Sequence, residues 1–86
     1  HYRTSETEAR ETVERLRQFA PVEAFRADLS SEAEVKALVS GVLARFGRVD
    51  ALANCAALWN RKRLEDVTAA DVRSHFDTNT LGTFLT

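Results

Sequence analysis

A doubly wound α/β domain, with a parallel sheet between two layers of helices, is the fold class this sequence predicts. Three observations carry it. Short apolar runs alternate with amphipathic helical patterns, strand then helix, three times along the 86 residues. The stretches between successive strands are long enough to hold a crossover helix and too long for a hairpin turn. Polar and hydroxyl residues follow each apolar run, and ligands of open parallel sheets bind beyond the carboxyl ends of the strands.

The elements can be justified in order. His1 to Arg3 reads as the end of a strand. Thr4 or Ser5 offers a hydroxyl to a helix N-terminus, and Glu6, Glu8 and Glu11 suit the positive end of its dipole. Ala9, Val13, Leu16 and Ala20 form a narrow apolar stripe, and Pro21 ends the helix because it cannot continue the hydrogen-bond ladder. Val22 to Ala27 is a short apolar strand, and Asp28-Leu29-Ser30 a turn. Ser30 or Ser31 caps the second helix, with Glu34 three residues beyond Ser31. Val35, Leu38, Val39, Val42, Leu43 and Phe46 keep helical spacing, and Gly47 stands where a left-handed C-cap belongs. Val49 to Ala53 is the next strand, followed by a polar loop from Trp59 to Arg63. Thr68 with Asp71 opens the third helix, whose inward stripe is Val72, Phe76, Asn79 and Thr83.

Composition narrows the function classes. Hydrophobic residues are 44% and charged residues 29%, which is globular and not disordered. Twelve basic against 13 acidic residues leave a net charge of -1, without the basic excess of a nucleic-acid binder. No apolar run is long enough to span a bilayer, so no membrane partner is expected. A single cysteine forms no internal disulfide and no multi-cysteine zinc site, which points to a reducing, cytoplasmic setting. Methionine is absent, and the last residues stop inside an apolar helical pattern. Both features suggest part of a longer chain: two strands and a stub are too few for a parallel sheet.

Three stretches fall at strand ends: Arg3-Thr4-Ser5, Asp28-Leu29-Ser30 and Asn54-Cys55-Ala56-Ala57. Each has a plain structural reading. Ser5 and Ser30 serve as caps, Asp28 accepts backbone N–H bonds in a turn, and Asn54 bridges two loops. Their common placement at one sheet edge favours a shared ligand instead. Asn79, on an apolar stripe, must be paired, since an unpaired buried amide costs about 1–3 kcal/mol. A local break in the helix near Gly82 would let it reach a partner. Cys55 reads as a small buried apolar residue and not a reactive thiol.

These segments resemble the short-chain dehydrogenase/reductases. Ala27-Asp28-Leu29-Ser30 is similar to that family's aspartate turn. Phe46-Gly47-Arg48-Val49-Asp50-Ala51-Leu52-Ala53-Asn54-Cys55-Ala56-Ala57 is similar to its "FGxxDxLVNNAG" segment, departing from it at Cys55 and Ala57. Asp77-Thr78-Asn79-Thr80-Leu81-Gly82-Thr83 resembles the helix that carries its structural and catalytic asparagine. The resemblance covers essentially the whole chain. It implies a Rossmann-type sheet, of which residues 1–86 would be an internal part of a single NAD(P)-binding domain. The glycine-rich strand-turn-helix would lie before His1 and the catalytic half after Thr86.

The same resemblance implies residue roles. Asp28 and the Leu29 backbone would contact the adenine, Asn54 and Ala56 the cofactor ribose. The Asn79 carbonyl would hold a water of the proton relay, against the plainer reading of a satisfied core asparagine. Arg3, Thr4 and Ser5 suit the 2′-phosphate of NADP, so NADP(H) is expected over NAD(H). The opening residues are similar to those of pteridine reductases, in which Trp59 would occupy the position of a substrate-stacking aromatic. Its alternative is an exposed loop aromatic. The function implied is an NADP(H)-dependent oxidoreductase that moves a hydride between nicotinamide and a carbonyl, hydroxyl or pterin-type imine of a small-molecule substrate. The fragment alone would be inactive, and the full-length enzyme a homo-oligomer through its third helix. The alternative is a non-catalytic NADP-binding sensor on the same fold.

Overall fold

The computed structural model describes residues 1–86. Its regular structure is helical. Helix α1 spans Glu6–Leu16, α2 Glu32–Phe46 and α3 Ala69–Phe76. A π-helix at Asp77–Leu81 then joins α3 to the last turn, α4, at Gly82–Leu85, and a single 3₁₀ turn occupies Leu64–Asp66.

Local chemistry explains the helix limits. Helix α1 begins with Glu6 and Glu8 at its positive end, and Arg10 pairs with Glu6 one turn back at 2.6 Å. It closes at Leu16, whose carbonyl accepts from the Phe19 and Ala20 amides ahead of Pro21. At α2, the Ser31 hydroxyl accepts from the Glu34 amide at 3.4 Å. Glu34 in turn reaches back past the cap to accept from the Asp28 amide at 2.8 Å, which ties the helix to the preceding turn. Gly47 ends α2 at φ 82°, a left-handed conformation suited to glycine, and its amide bonds the Leu43 carbonyl at 2.8 Å. Helix α3 has a full capping box: Thr68 accepts from the Asp71 amide while Asp71 accepts from the Thr68 amide and hydroxyl.

No sheet forms, and the doubly wound α/β class expected from the sequence is corrected accordingly. The strand stub at His1–Arg3 and the segment 22–27 meet at one isolated parallel bridge, Tyr2 with Arg26. It is held by Tyr2 N–H to the Phe25 carbonyl and Ala27 N–H to the Tyr2 carbonyl, each 3.0 Å. Residues 48–62 make no backbone–backbone hydrogen bond, so the expected strand Val49–Ala53 is an unpaired irregular segment with a bend at Asp50. The physical reason is the want of neighbours. A strand is stabilised by the ladder on its edges, and one short stub against one six-residue segment cannot supply it.

Burial follows from this. Only Ala27, Leu29, Val35 and Gly82 are buried, a small cluster where the 27–29 turn meets α2 and α4. A Cβ on Gly82 would lie 3.0 Å from the Leu29 Cβ and 3.1 Å from its carbonyl oxygen, so the glycine is what lets α4 approach the turn. Glu23 and Arg45, 2.7 Å apart, clip segment 22–27 to α2. The stripe expected to face inward on α3 does not: Val72 and Phe76 are more than half exposed, and Asn79 and Thr83 are exposed too. No helix is long and apolar enough to cross a membrane.

Candidate functional site

The turn after segment 22–27 is the most highly organised polar feature. Asp28 Oδ1 accepts from both the Ser30 amide (2.9 Å) and the Ser30 hydroxyl (2.6 Å), and the Asp28 carbonyl accepts from the Ser31 amide. These two bonds from Ser30 hold the Asp28 carboxyl below its usual range. The Arg3 charge adds to the effect, and slight desolvation opposes it. Arg3 itself is loosely held. Its guanidinium stands 3.9 Å from Asp28 Oδ2, while its carbonyl accepts from Arg26 Nε at 3.1 Å.

The bridge between Tyr2 and Arg26 brings the chain start against this turn. An open cleft of about 330 Å³ results, lined by Arg3, Thr4, Ser5, Leu29, Ala56 and Thr78 among others. A second cleft of about 310 Å³ shares His1, Leu29 and Ala56 with it and adds Leu38, Leu52, Asn54 and Thr86. Five of the residues expected to bind a ligand, Arg3, Thr4, Ser5, Leu29 and Ala56, therefore share one cleft. Asp28 adjoins it through Arg3, and Asn54 lines its neighbour. Trp59 stands apart, three-quarters exposed in the loop that follows. Cys55 is exposed with a free thiol, which corrects the expectation of a buried apolar residue.

Asn79 lies within the π-helix, the form taken by the helix break expected before Gly82. Its carboxamide is doubly paired with one loop residue. Oδ1 accepts from the Leu58 amide at 2.7 Å and Nδ2 donates to the Leu58 carbonyl at 2.9 Å. The Asn79 carbonyl accepts from the Thr83 hydroxyl at 3.0 Å. The side chain thus works as a clamp on Leu58 of the loop. A second clamp went unread in the sequence: Lys62 reaches Asp71 at 2.6 Å and ties the same loop to the start of α3. Lys62 and Thr68 together hold the Asp71 carboxyl well below the usual carboxylate range. His1 also escaped the sequence reading. Its ring Nε2 lies 2.8 Å from the Ala27 carbonyl, a contact that depends on the chain path and has no local signal. No three His, Cys, Asp or Glu side chains gather where they would hold a metal ion.

Residues 2–86 match the family model described as enoyl-(acyl carrier protein) reductase. The chain belongs to that family. Among curated proteins it is 36% identical over 62 residues to an uncharacterised oxidoreductase of Methylorubrum extorquens, covering 72% of this chain and 25% of that protein. It is 42% identical over 62 residues to a 2,5-dichloro-2,5-cyclohexadiene-1,4-diol dehydrogenase of Sphingobium indicum, covering 71% and 25%. A sepiapterin reductase of Chlorobaculum tepidum is 34% identical over 65 residues, covering 76% and 27%. The chain spans about a quarter of the length of these relatives.

Family membership does not restore the architecture expected from the motifs. The resemblance to short-chain dehydrogenase/reductases, pteridine reductases included, implied a Rossmann-type sheet, and the helical structure corrects it: one bridge is present and no sheet. The functional expectations built on that sheet are corrected with it. An oxidoreductase transferring a hydride to a small-molecule substrate needs strand ends that align cofactor and substrate, and this chain has no ladder to align them. The preference for NADP(H), the nucleotide-binding role and the NADP-sensing alternative rest on the same missing frame. So does the expected homo-oligomer, since α3 is not laid on a sheet that would fix its outer face.

Proposed function

We propose that these 86 residues are part of a larger single domain, to which they supply one wall of a cleft for a small polar ligand with an anionic group. The state of Arg3 carries this reading. Asp28 is satisfied by Ser30 and stands 3.9 Å from the guanidinium, so Arg3 keeps donor capacity in a cleft that it lines with Thr4, Ser5 and Thr78. Asp28 Oδ2, free of the Ser30 bonds, accepts an N–H or O–H of the ligand, and Leu29 and Ala56 line the cleft, with Asn54 in the cleft beside it. Trp59, exposed outside this cleft, offers its indole to a flat part of a ligand that extends beyond it. Asn79 takes no direct part and acts by holding Leu58, hence the wall. The quarter-length coverage of the relatives and the small buried cluster support the larger domain. A cytoplasmic setting accords with the one exposed free thiol.

The test is a titration of the isotope-labelled full chain with inorganic pyrophosphate, read from the Thr4 and Ser5 amide shifts. Saturable shifts are expected, weakened roughly ten- to hundred-fold by Arg3→Ala, the scale of a lost charge-assisted hydrogen bond. Arg3→Lys should fall between. Equal affinity for the wild type and the alanine variant refutes the assignment.

A further inference from the structure

Asn79 in the π-helix, Thr83 in α4 and Thr86 just after it follow each other at i, i+4 and i+7, and their polar groups form one connected path. Asn79 pairs with Leu58, and its carbonyl accepts from the Thr83 hydroxyl. The Thr86 hydroxyl is 2.9 Å from Asn54 Oδ1 and 3.2 Å from the Thr83 carbonyl. The loop segment 54–58 is therefore fastened at both ends to residues 79–86, running antiparallel to the helix axis.

From this geometry we infer that Thr86 is a positioning residue for Asn54. A threonine hydroxyl has one proton, and the shorter contact places it on Asn54 Oδ1. The carboxamide is then oriented with its acceptor end occupied and its Nδ2 end left to donate. The ligand group that meets Asn54 is accordingly a hydrogen-bond acceptor, such as a carbonyl, ether or hydroxyl oxygen. Were the hydroxyl to give its proton to the Thr83 carbonyl instead, it would accept from Nδ2 and turn the acceptor end outward. The order of the two distances, 2.9 Å to Asn54 against 3.2 Å to Thr83, is what gives Asn54 the first of these two polarities. This inference deepens the proposed cleft and rests on it only for the ligand; the orientation of Asn54 stands without one.

The orientation is tested in the unliganded full chain by carbon-13 NMR of the Asn54 carboxamide carbonyl, with the Leu58 amide as a second reporter. Thr86→Val, nearly isosteric, removes the proton that Oδ1 accepts and should move the Asn54 carbonyl resonance upfield, towards that of a carboxamide with no protein donor. Leu58 should stay where it is, and Thr86→Ser should leave both reporters unchanged. The inference is overturned by an Asn54 signal indifferent to Thr86→Val, by an equal disturbance of Leu58, or by Thr86→Ser behaving like the valine variant. Failure of pyrophosphate to bind would count against the cleft and leave these readings intact.

Discussion

At the scale of single residues, two carboxylates show how a short polar turn is held. Asp71 accepts from the Lys62 ammonium and from the Thr68 amide and hydroxyl, and Asp28 from the amide and hydroxyl of Ser30. Each carboxyl's folded-state pKa lies below its unfolded value. Acidification protonates the unfolded chain first, so the contribution of both groups is complete above about pH 4 and is lost as pH falls through the depressed folded values. An acid titration by NMR should find both carboxyl midpoints under the normal aspartate value. Asp71→Asn should fray the first turn of α3, seen as faster exchange at Thr68 and Asp71. Asn79 supports a separate prediction. Asn79→Ala removes both bonds to Leu58, and hydrogen exchange at the Leu58 amide should rise roughly ten-fold or more. Asn79→Asp should retain part of the protection, since a carboxylate accepts from the Leu58 amide but donates nothing to its carbonyl.

Helices and turns divide differently between sequence and structure. The serine cap with Glu34, the glycine that ends α2 and the threonine–aspartate box of α3 all involve partners within a few residues, and each appears at the residues expected. The strands do not, because a strand is defined by what lies beside it and not by its own residues. The π-helix is an intermediate case: Gly82 marked where a break was permissible, but the clamp on Leu58, 21 residues away, shows what the wider turn accommodates. Glycine substitutions test the elements. Gly47→Ala must place a Cβ at φ 82° and should cost about 1–2 kcal/mol. Gly82→Ala meets the Leu29 backbone oxygen at 3.1 Å and should cost about 1–3 kcal/mol as α4 is pushed off the turn. Urea denaturation followed by circular dichroism measures both.

The whole molecule is elongated, 47 × 24 × 18 Å, with a radius of gyration of 15.1 Å where a compact domain of this length would have about 12 Å. Phe19, Trp59, Leu64 and Phe84 are each more than three-quarters exposed. Such surface favours partial opening and dye binding. The chain on its own should bind a hydrophobic dye, give a broad thermal transition and scatter X-rays as an extended particle. A longer protein containing these residues should do none of these, and dye binding equal in both would contradict the larger domain.

The amino-acid sequence decided both ends of α2, the start of α3, the Asp28–Ser30 turn and the charge balance, because their partners are near neighbours along the chain. It did not decide α1, which ends at Leu16 and not at Pro21, with no hydroxyl cap from Ser5. Tertiary structure alone decided that no sheet is built and that His1 meets Ala27. It also set the grip of Asn79 on Leu58 and of Thr86 on Asn54, and the sharing of one cleft by Arg3, Leu29 and Ala56. These depend on which distant backbone comes alongside, and a local pattern of apolar and polar residues holds no record of whether a neighbour is present.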